Sequence, residues 1–395
     1  MRIIVAVAAA LAFATSPASA QDPKPSVEIY GFAMLDFGQN FNQIHPDWYD
    51  TVRVTKLPSF EEEYGKDGNS FFGVRQSRLG VRSTTPTDLG DLFTQFEFEL
   101  FGTGVDSGQT TFRLRHAYGE LGAFGAGQYW SPFMDIDVFP NSLEYWGPTG
   151  MVFFRNVQVR WMPIKGDTRL TLALERPGAS GDAGLASDRI ELQNVRGRFP
   201  MPDISGEYRF GRPRGYFEVA GILRKMEWDD VLEDAFELSG DAIGWGINLS
   251  SNFKPSGSDT LRLQYVMGEG IQNYMNDSPV DVGLVRNNSA VTPVVGEPIP
   301  IKAFVAFLDH SWSSRFTSTI GYSAQFNDNV EGQAPNAFRD GHYALGNLLY
   351  SPVPNAMAGV ELQWGKRENF GDGFSSDVFK VQVSFKYNCS AKIGG

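Results

Sequence analysis

Strict two-residue alternation constrains this chain more than any other feature. Phe96, Phe98 and Leu100 fall on one parity, Gln95, Glu97 and Glu99 on the other. Phe112 and Leu114 alternate with Arg113 and Arg115, and Val157, Val159 and Trp161 with Gln158 and Arg160. Leu170, Leu172 and Leu174 alternate with Thr171, Ala173 and Glu175, and the pattern returns around Phe217, Leu261, Val360 and Phe379. Successive side chains of an extended strand point to opposite faces, so each segment carries one apolar and one polar face. No long segment follows a helical period, and none has eighteen consecutive apolar residues, so no transmembrane helix is implied. A mean hydropathy of −0.24 does not separate a soluble protein from a transmembrane β-barrel, whose lipid face is hidden by alternation.

The connections decide between them. Short turns read Thr85-Pro86-Thr87-Asp88, Pro163 to Asp167, Gly211 to Arg214, Lys254 to Gly257 and Ser351 to Pro354. Between them fall long polar segments at 42–70, 131–150, 178–194, 229–239, 270–299, 327–339 and 368–374. Short turns alternating with long loops mark an outer-membrane barrel with tight periplasmic turns and long external loops. Counting strands from Val27 predicts an all-β fold, a transmembrane antiparallel β-barrel of about 16 strands. A soluble β-sandwich also alternates. It fits less well with the large aromatics near strand ends on the apolar parity (Tyr118, Trp161, Trp364, Tyr387) and with the many charges on the other.

Residues 1–20 lie outside this pattern. Arg2, the apolar run from Ile3 to Ala14 and Ala18-Ser19-Ala20 read as a signal peptide cut before Gln21. The barrel domain is then 21–395, with strands over about 27–388. The net charge of −12 argues against nucleic acid as a partner. The single cysteine, Cys389, excludes an internal disulfide and a Cys-based zinc site. His45, His116, His310 and His342 include no i, i+4 pair, so neither metal nor cofactor is expected. An enzyme is not expected either. Asp309-His310-Ser311 has the residue types of a catalytic triad, but strand neighbours point to opposite faces. The glycine-rich Gly102 to Gly108 reads as a hairpin tip.

The stretch Gly127-Gln128-Tyr129-Trp130-Ser131-Pro132-Phe133-Met134-Asp135, followed by Phe139-Pro140 and Gly147-Pro148-Thr149-Gly150, resembles the DcaP-like family of outer-membrane porins. So do Ile29 to Asp36 and Arg75-Gln76-Ser77-Arg78-Leu79-Gly80. The resemblance implies a sixteen-stranded trimeric channel for small organic anions, dicarboxylates in particular. It also implies that the third loop folds into the barrel and narrows it. Eight residues run on past Tyr387, where outer-membrane barrels usually end on an aromatic.

A pore selects through charged side chains at its narrowest point. Inward parity gives Arg78 and Arg82 on strand two, Arg113 and Arg115 on strand four, Arg160 on strand six, Arg262 on strand eleven and Lys380 on strand sixteen. Alternate strands lie about 10 Å apart, so the first three strands form one basic wall. Guanidinium forks bind carboxylates bidentately and do not deprotonate. Asp135, Asp137 and Glu144 of the third loop are expected to face this wall and set up a transverse field. The competing reading has the arginines pair with Glu97, Glu99, Glu120 or Glu361 and stiffen the wall. His116 shares parity with Phe112 and Leu114, and a lipid-facing histidine is costly, so it is expected at a subunit interface.

The expected function is passive diffusion of small hydrophilic solutes across the outer membrane, with organic anions such as dicarboxylates preferred. The alternatives are a non-selective porin and a soluble periplasmic β-rich binding protein. The expected partners are outer-membrane lipid, anionic solutes and two further copies in a homotrimer. The barrel reading predicts that the protein needs detergent for extraction and migrates as a heat-modifiable oligomer on gels; recovery as a soluble monomer would contradict it.

Overall fold

The computed structural model describes residues 24–394 apart from Glu233; the expected signal peptide lies outside the described residues. Sixteen antiparallel strands close into a barrel. They are β1 Ser26–Asn40, β2 in two segments Asn69–Gly73 and Arg78–Thr87, β3 Gly90–Phe101, β4 Thr110–Leu121, β5 Phe124–Trp130, β6 Arg155–Ile164, β7 Arg169–Glu175 and β8 Asp203–Arg212. The second half comprises β9 Gly215–Asp230, β10 Gly240–Phe253, β11 Asp259–Glu269, β12 Pro300–Ser311, β13 Phe316–Asn327, β14 Phe338–Tyr350, β15 Ala356–Asn369 and β16 Ser375–Gly394. Each strand pairs with the next, and β16 closes on β1 from Asn40↔Lys380 to Ser26↔Gly394. Closure removes the unpaired edges that hydrocarbon cannot hydrate. The residues past Tyr387 are not an appended tail: they pair with Ser26 to Phe32, so the strands span 26–394 rather than 27–388.

The alternation holds around most of the wall. Leu79, Phe96, Trp161, Leu172, Leu362 and Tyr387 are exposed on the lipid side, while Glu97, Glu99, Gln264, Glu361 and Gln363 are buried inside. β12 departs from it: Ile301, Ala303, Val305 and Phe307 face inward and are buried.

An apolar inner face needs a cover, and three loops supply it. Trp48, Val52, Val54 and Leu57 come from the first loop (residues 41–68) and are buried. The third loop (131–154) contributes Phe133, Met134, Val138, Met151 and Val152, and the sixth (270–299) Ile271, Tyr274 and Met275. Apart from Trp48 these residues form one hydrophobic core with Ala303, Val305, Phe307, Tyr343, Leu345 and Val378 of the wall. The lumen is therefore partly filled by a core of its own. Segments 42–70 and 270–299, expected as external loops from their polarity, send their few apolar residues inside because removing that surface from water is favourable.

Buried ion pairs fasten the loops. Lys380 Nζ lies 3.0 Å from Glu144 Oε2 and donates to the Asp50 carbonyl at 2.5 Å. Arg75 Nη1 lies 3.0 Å from Asp50 Oδ1. Burial pushes the Asp50 carboxyl up, and the neighbouring Arg75 and Lys380 charges oppose that rise. Arg53 pairs with Asp277 at 2.9 Å, its guanidinium 4.2 Å from each of the Trp48 and Trp146 rings. Arg224 pairs with Asp203 at 3.1 Å and with Asp281 at 2.9 Å. Breaking a buried pair leaves an uncompensated charge. Lys380→Met is predicted to destabilise the barrel by about 3 kcal/mol and to make single-channel current noisier as the third loop loosens, read from the unfolding temperature in detergent and from bilayer recordings.

Candidate functional site

The core lies against β9 to β16, which leaves open space beside β1 to β6. A cavity of about 780 Å³ occupies it. Its charged wall is built around β3, whose inward residues Glu97 and Glu99 are flanked by arginines of β2, β4 and β6. Arg115 Nε lies 2.6 Å from Glu97 Oε1 and its Nη1 2.5 Å from Glu99 Oε2. Arg78 stands farther off, 3.7 Å from Glu97 and 3.5 Å from Glu99. Arg113 and Arg155 lie 3.6 and 3.7 Å from Glu99. Tyr145 of the third loop donates to Glu99 and stacks on Phe101 at 3.8 Å. Four guanidiniums thus surround two carboxylates, and Lys386 of β16 adds a further cation to the lining. The facing wall is mostly apolar and amide in character: Ile136, Phe139, Asn141 and Trp146 of the third loop, Met275 and Asn276 of the sixth, with Glu144 of the third loop also in the lining but paired with Lys380.

A β-bulge shapes the basic wall. In the β3–β4 ladder Glu97 pairs with His116 and Phe98 with Leu114, so Arg115 has no partner of its own. The extra residue shifts the phase of the strand. Gln128 Nε2 donates to the carbonyls of Leu114 and Arg115, at 3.2 and 3.1 Å. His116 is therefore not lipid-facing. It is 3% exposed within the single chain, with its ring 4.7 Å from Tyr129 and 4.8 Å from Trp130, so burying it needs no second subunit. Tyr118, expected in the outer aromatic girdle, is inside for the same reason, stacked on Tyr129 at 4.5 Å.

Of the residues singled out in the sequence, the structure brings Arg78, Arg113 and Arg115 together at the cavity. The others lie apart from the cluster or are engaged elsewhere. Arg82 pairs with Glu28 at 2.8 Å and is half exposed. Arg160 is buried, donating to Gln158 and to the Trp130 carbonyl. Arg262 pairs with Asp309 at 2.6 Å. Asp135 is fully buried, accepting from Arg209 at 2.7 Å and from Tyr216 and Ser250 at 2.6 Å. Asp137 also pairs with Arg209, at 2.6 Å. Glu144 is 2% exposed and engaged with Lys380 and the Val52 amide. These loop carboxylates tie the third loop to β8–β10 and β16. Glu120 bonds Tyr118 and Lys165, and Glu361 accepts the Leu143 and Glu144 amides, so neither pairs with an arginine of the cluster.

Sequence reasoning missed two lining cations, Arg155 and Lys386. Arg155 opens β6 on the parity opposite to Arg160, which reads as outward, yet its guanidinium reaches the cluster beside Glu99. Lys386 lies on the inward parity of β16 with Lys380, and that phase identifies it.

A closed sixteen-stranded barrel with an internal loop and a charged passage is the architecture of a porin. A family model described as DcaP outer membrane protein matches residues 66–389; the chain belongs to this family and is an outer-membrane channel. The outer membrane channel DcaP of Acinetobacter baumannii superposes with a TM-score of 0.77 at 22% identity, over 92% of this chain and 97% of that one. The anion-selective porin from Comamonas acidovorans gives 0.59 at 12% identity, over 92% and 100%. OmpT of Vibrio cholerae gives 0.57 at 12%, over 94% and 99%. No curated protein sequence matches the chain significantly. Because Arg82 and Arg262 are paired outside the cluster, Arg82→Ala and Arg262→Ala are predicted to leave the reversal potential in a salt gradient unchanged.

Proposed function

We propose that this channel passes small hydrophilic solutes with a preference for organic anions, dicarboxylates foremost, and that it works as a homotrimer. The observation that carries the anion preference is the excess of guanidinium over carboxylate on the β2–β4–β6 wall. Arg78 and Arg113 keep 25% and 30% of their side chains open to the cavity. The facing loop wall offers amides and apolar surface, since its carboxylates are tied into ion pairs. A solute carboxylate gains bidentate, charge-assisted hydrogen bonds there, while its carbon body lies against Phe139 and Trp146. The net charge of −12 does not oppose this, because selectivity follows the local potential in a water-poor passage. The anion-selective Comamonas porin supports the reading at the level of a shared fold. The OmpT relative known in a trimer form, with a TM-score of 0.55, supports the assembly in the same way.

Removing a charge near 10 Å from a permeating ion lowers its attraction by on the order of 1 kcal/mol at intermediate dielectric, several-fold in occupancy. Arg78→Ala combined with Arg113→Ala is therefore predicted to move the channel toward cation preference and slow succinate entry. Reversal potential in a salt gradient and succinate-driven liposome swelling measure the two effects. Wild-type values in both would make the arginines structural and the channel non-selective at this point.

A further inference from the structure

Glu99 occupies the position that a bound anion's carboxylate would take. Its Oε2 lies 2.5 Å from Arg115 Nη1 and 3.5 Å from Arg78 Nη2, and its Oε1 3.6 Å from Arg113 Nη1 and 3.7 Å from Arg155 Nη2. Only the Arg115 contact has hydrogen-bond length. The other three guanidiniums are held at longer range, with donors to spare. Arg155 is only 7% exposed, yet its Nη1 has no hydrogen-bond partner among the described residues, and neither has Arg78 Nε. Those two atoms are themselves buried, but Arg78, Arg113 and Arg155 all line the 780 Å³ cavity, and the Arg78 and Arg113 side chains keep 25% and 30% of their surface exposed. The exposed guanidinium surface of Arg78 and Arg113 has room for acceptor oxygens beyond Glu97, Glu99 and the Tyr145 hydroxyl.

Resting on the anion reading above, we propose that Glu99 is a resident competitor of the permeating anion, one that keeps binding short. An arriving carboxylate takes up the free donors of Arg78, Arg113 and Arg155 while Glu99 stays on Arg115. The two anions then share one cationic cluster and repel each other at close range. Conduction needs a site strong enough to admit the solute and weak enough to release it. Four guanidiniums without Glu99 would be a trap; with it they are a relay. Glu97 contributes less. It is held by Arg115 at 2.6 Å and by the Tyr30 hydroxyl at 2.9 Å, and its nearest approach to Arg78 is 3.7 Å. If Glu99 served only to fasten Arg115 and Tyr145, removing its charge would loosen the loop and leave anion residence unaffected.

The test is single-channel recording of the full barrel with succinate as the probe. Glu99→Gln keeps the size of the side chain and an acceptor for Tyr145 while removing the charge. The dwell time of succinate blocks is expected to lengthen roughly tenfold, the effect of one close charge repulsion in a water-poor cleft, and the chloride over potassium permeability ratio is expected to rise. Dwell times at or below wild type overturn the proposal, while the anion reading still stands if Arg78→Ala with Arg113→Ala shifts selectivity. If neither variant changes anything, both readings fall. Should Glu99→Gln not assemble, Glu99→Asp withdraws the carboxylate from Arg113 and Arg155 without deleting it. A several-fold longer dwell is then expected, and a wild-type dwell overturns the proposal.

Discussion

Hydrocarbon offers no hydrogen bonds, and the rest of the structure follows from that. Every backbone amide in the membrane must be satisfied by the chain itself, which forces the β1–β16 closure and with it a fixed register around the wall. Register assigns each side chain to lipid or lumen. The apolar residues are used outside, where Phe96 and Leu362 sit, and the polar ones are left to line an interior that must then be filled or hydrated.

The chain does both. β12 and β14 present apolar residues inward, and three loops fold onto them with Val54, Phe133 and Tyr274 at their contacts. Burying these residues stabilises the loops without a ligand or a second chain. The ion pairs around Lys380 and Arg224 then fix the loops in place rather than drive them inward. The asymmetry of this filling locates the open cavity: it lies beside β2, β4 and β6, where the arginines are. A basic wall on the opposite side would have been covered.

The strand count, the turn order and three of the cavity arginines were legible in the sequence, because period two is a property of the backbone and the charges are carried on it. The loops were less legible. Val52, Val54 and Leu57 sit in a polar segment, and no local pattern says that they belong to one core with β12 and β14. The apolar run on both parities from Ala303 to Leu308 was the available clue that something covers that wall from inside. The roles of Asp135 and Glu144 were hidden for a related reason. Their partners Arg209 and Lys380 lie 74 and 236 residues away, and only the folded loop brings them together. His116 was misplaced because simple parity has no means of anticipating a bulge.

That bulge works as a frameshift in the geometry of one strand. Upstream of Arg115, odd-numbered residues of β4 face the passage; downstream, even-numbered ones do. The wall thereby gains two adjacent inward side chains, Arg115 and His116, where a regular strand could present only one. The bulge thus packs the His116 ring in beside Arg115 and Glu97 without adding a strand or widening the barrel. Diversification of this passage is constrained accordingly. Substitutions in β4 can change the wall one side chain at a time, whereas losing the bulge without losing a residue would turn Tyr118 and Glu120 out toward lipid.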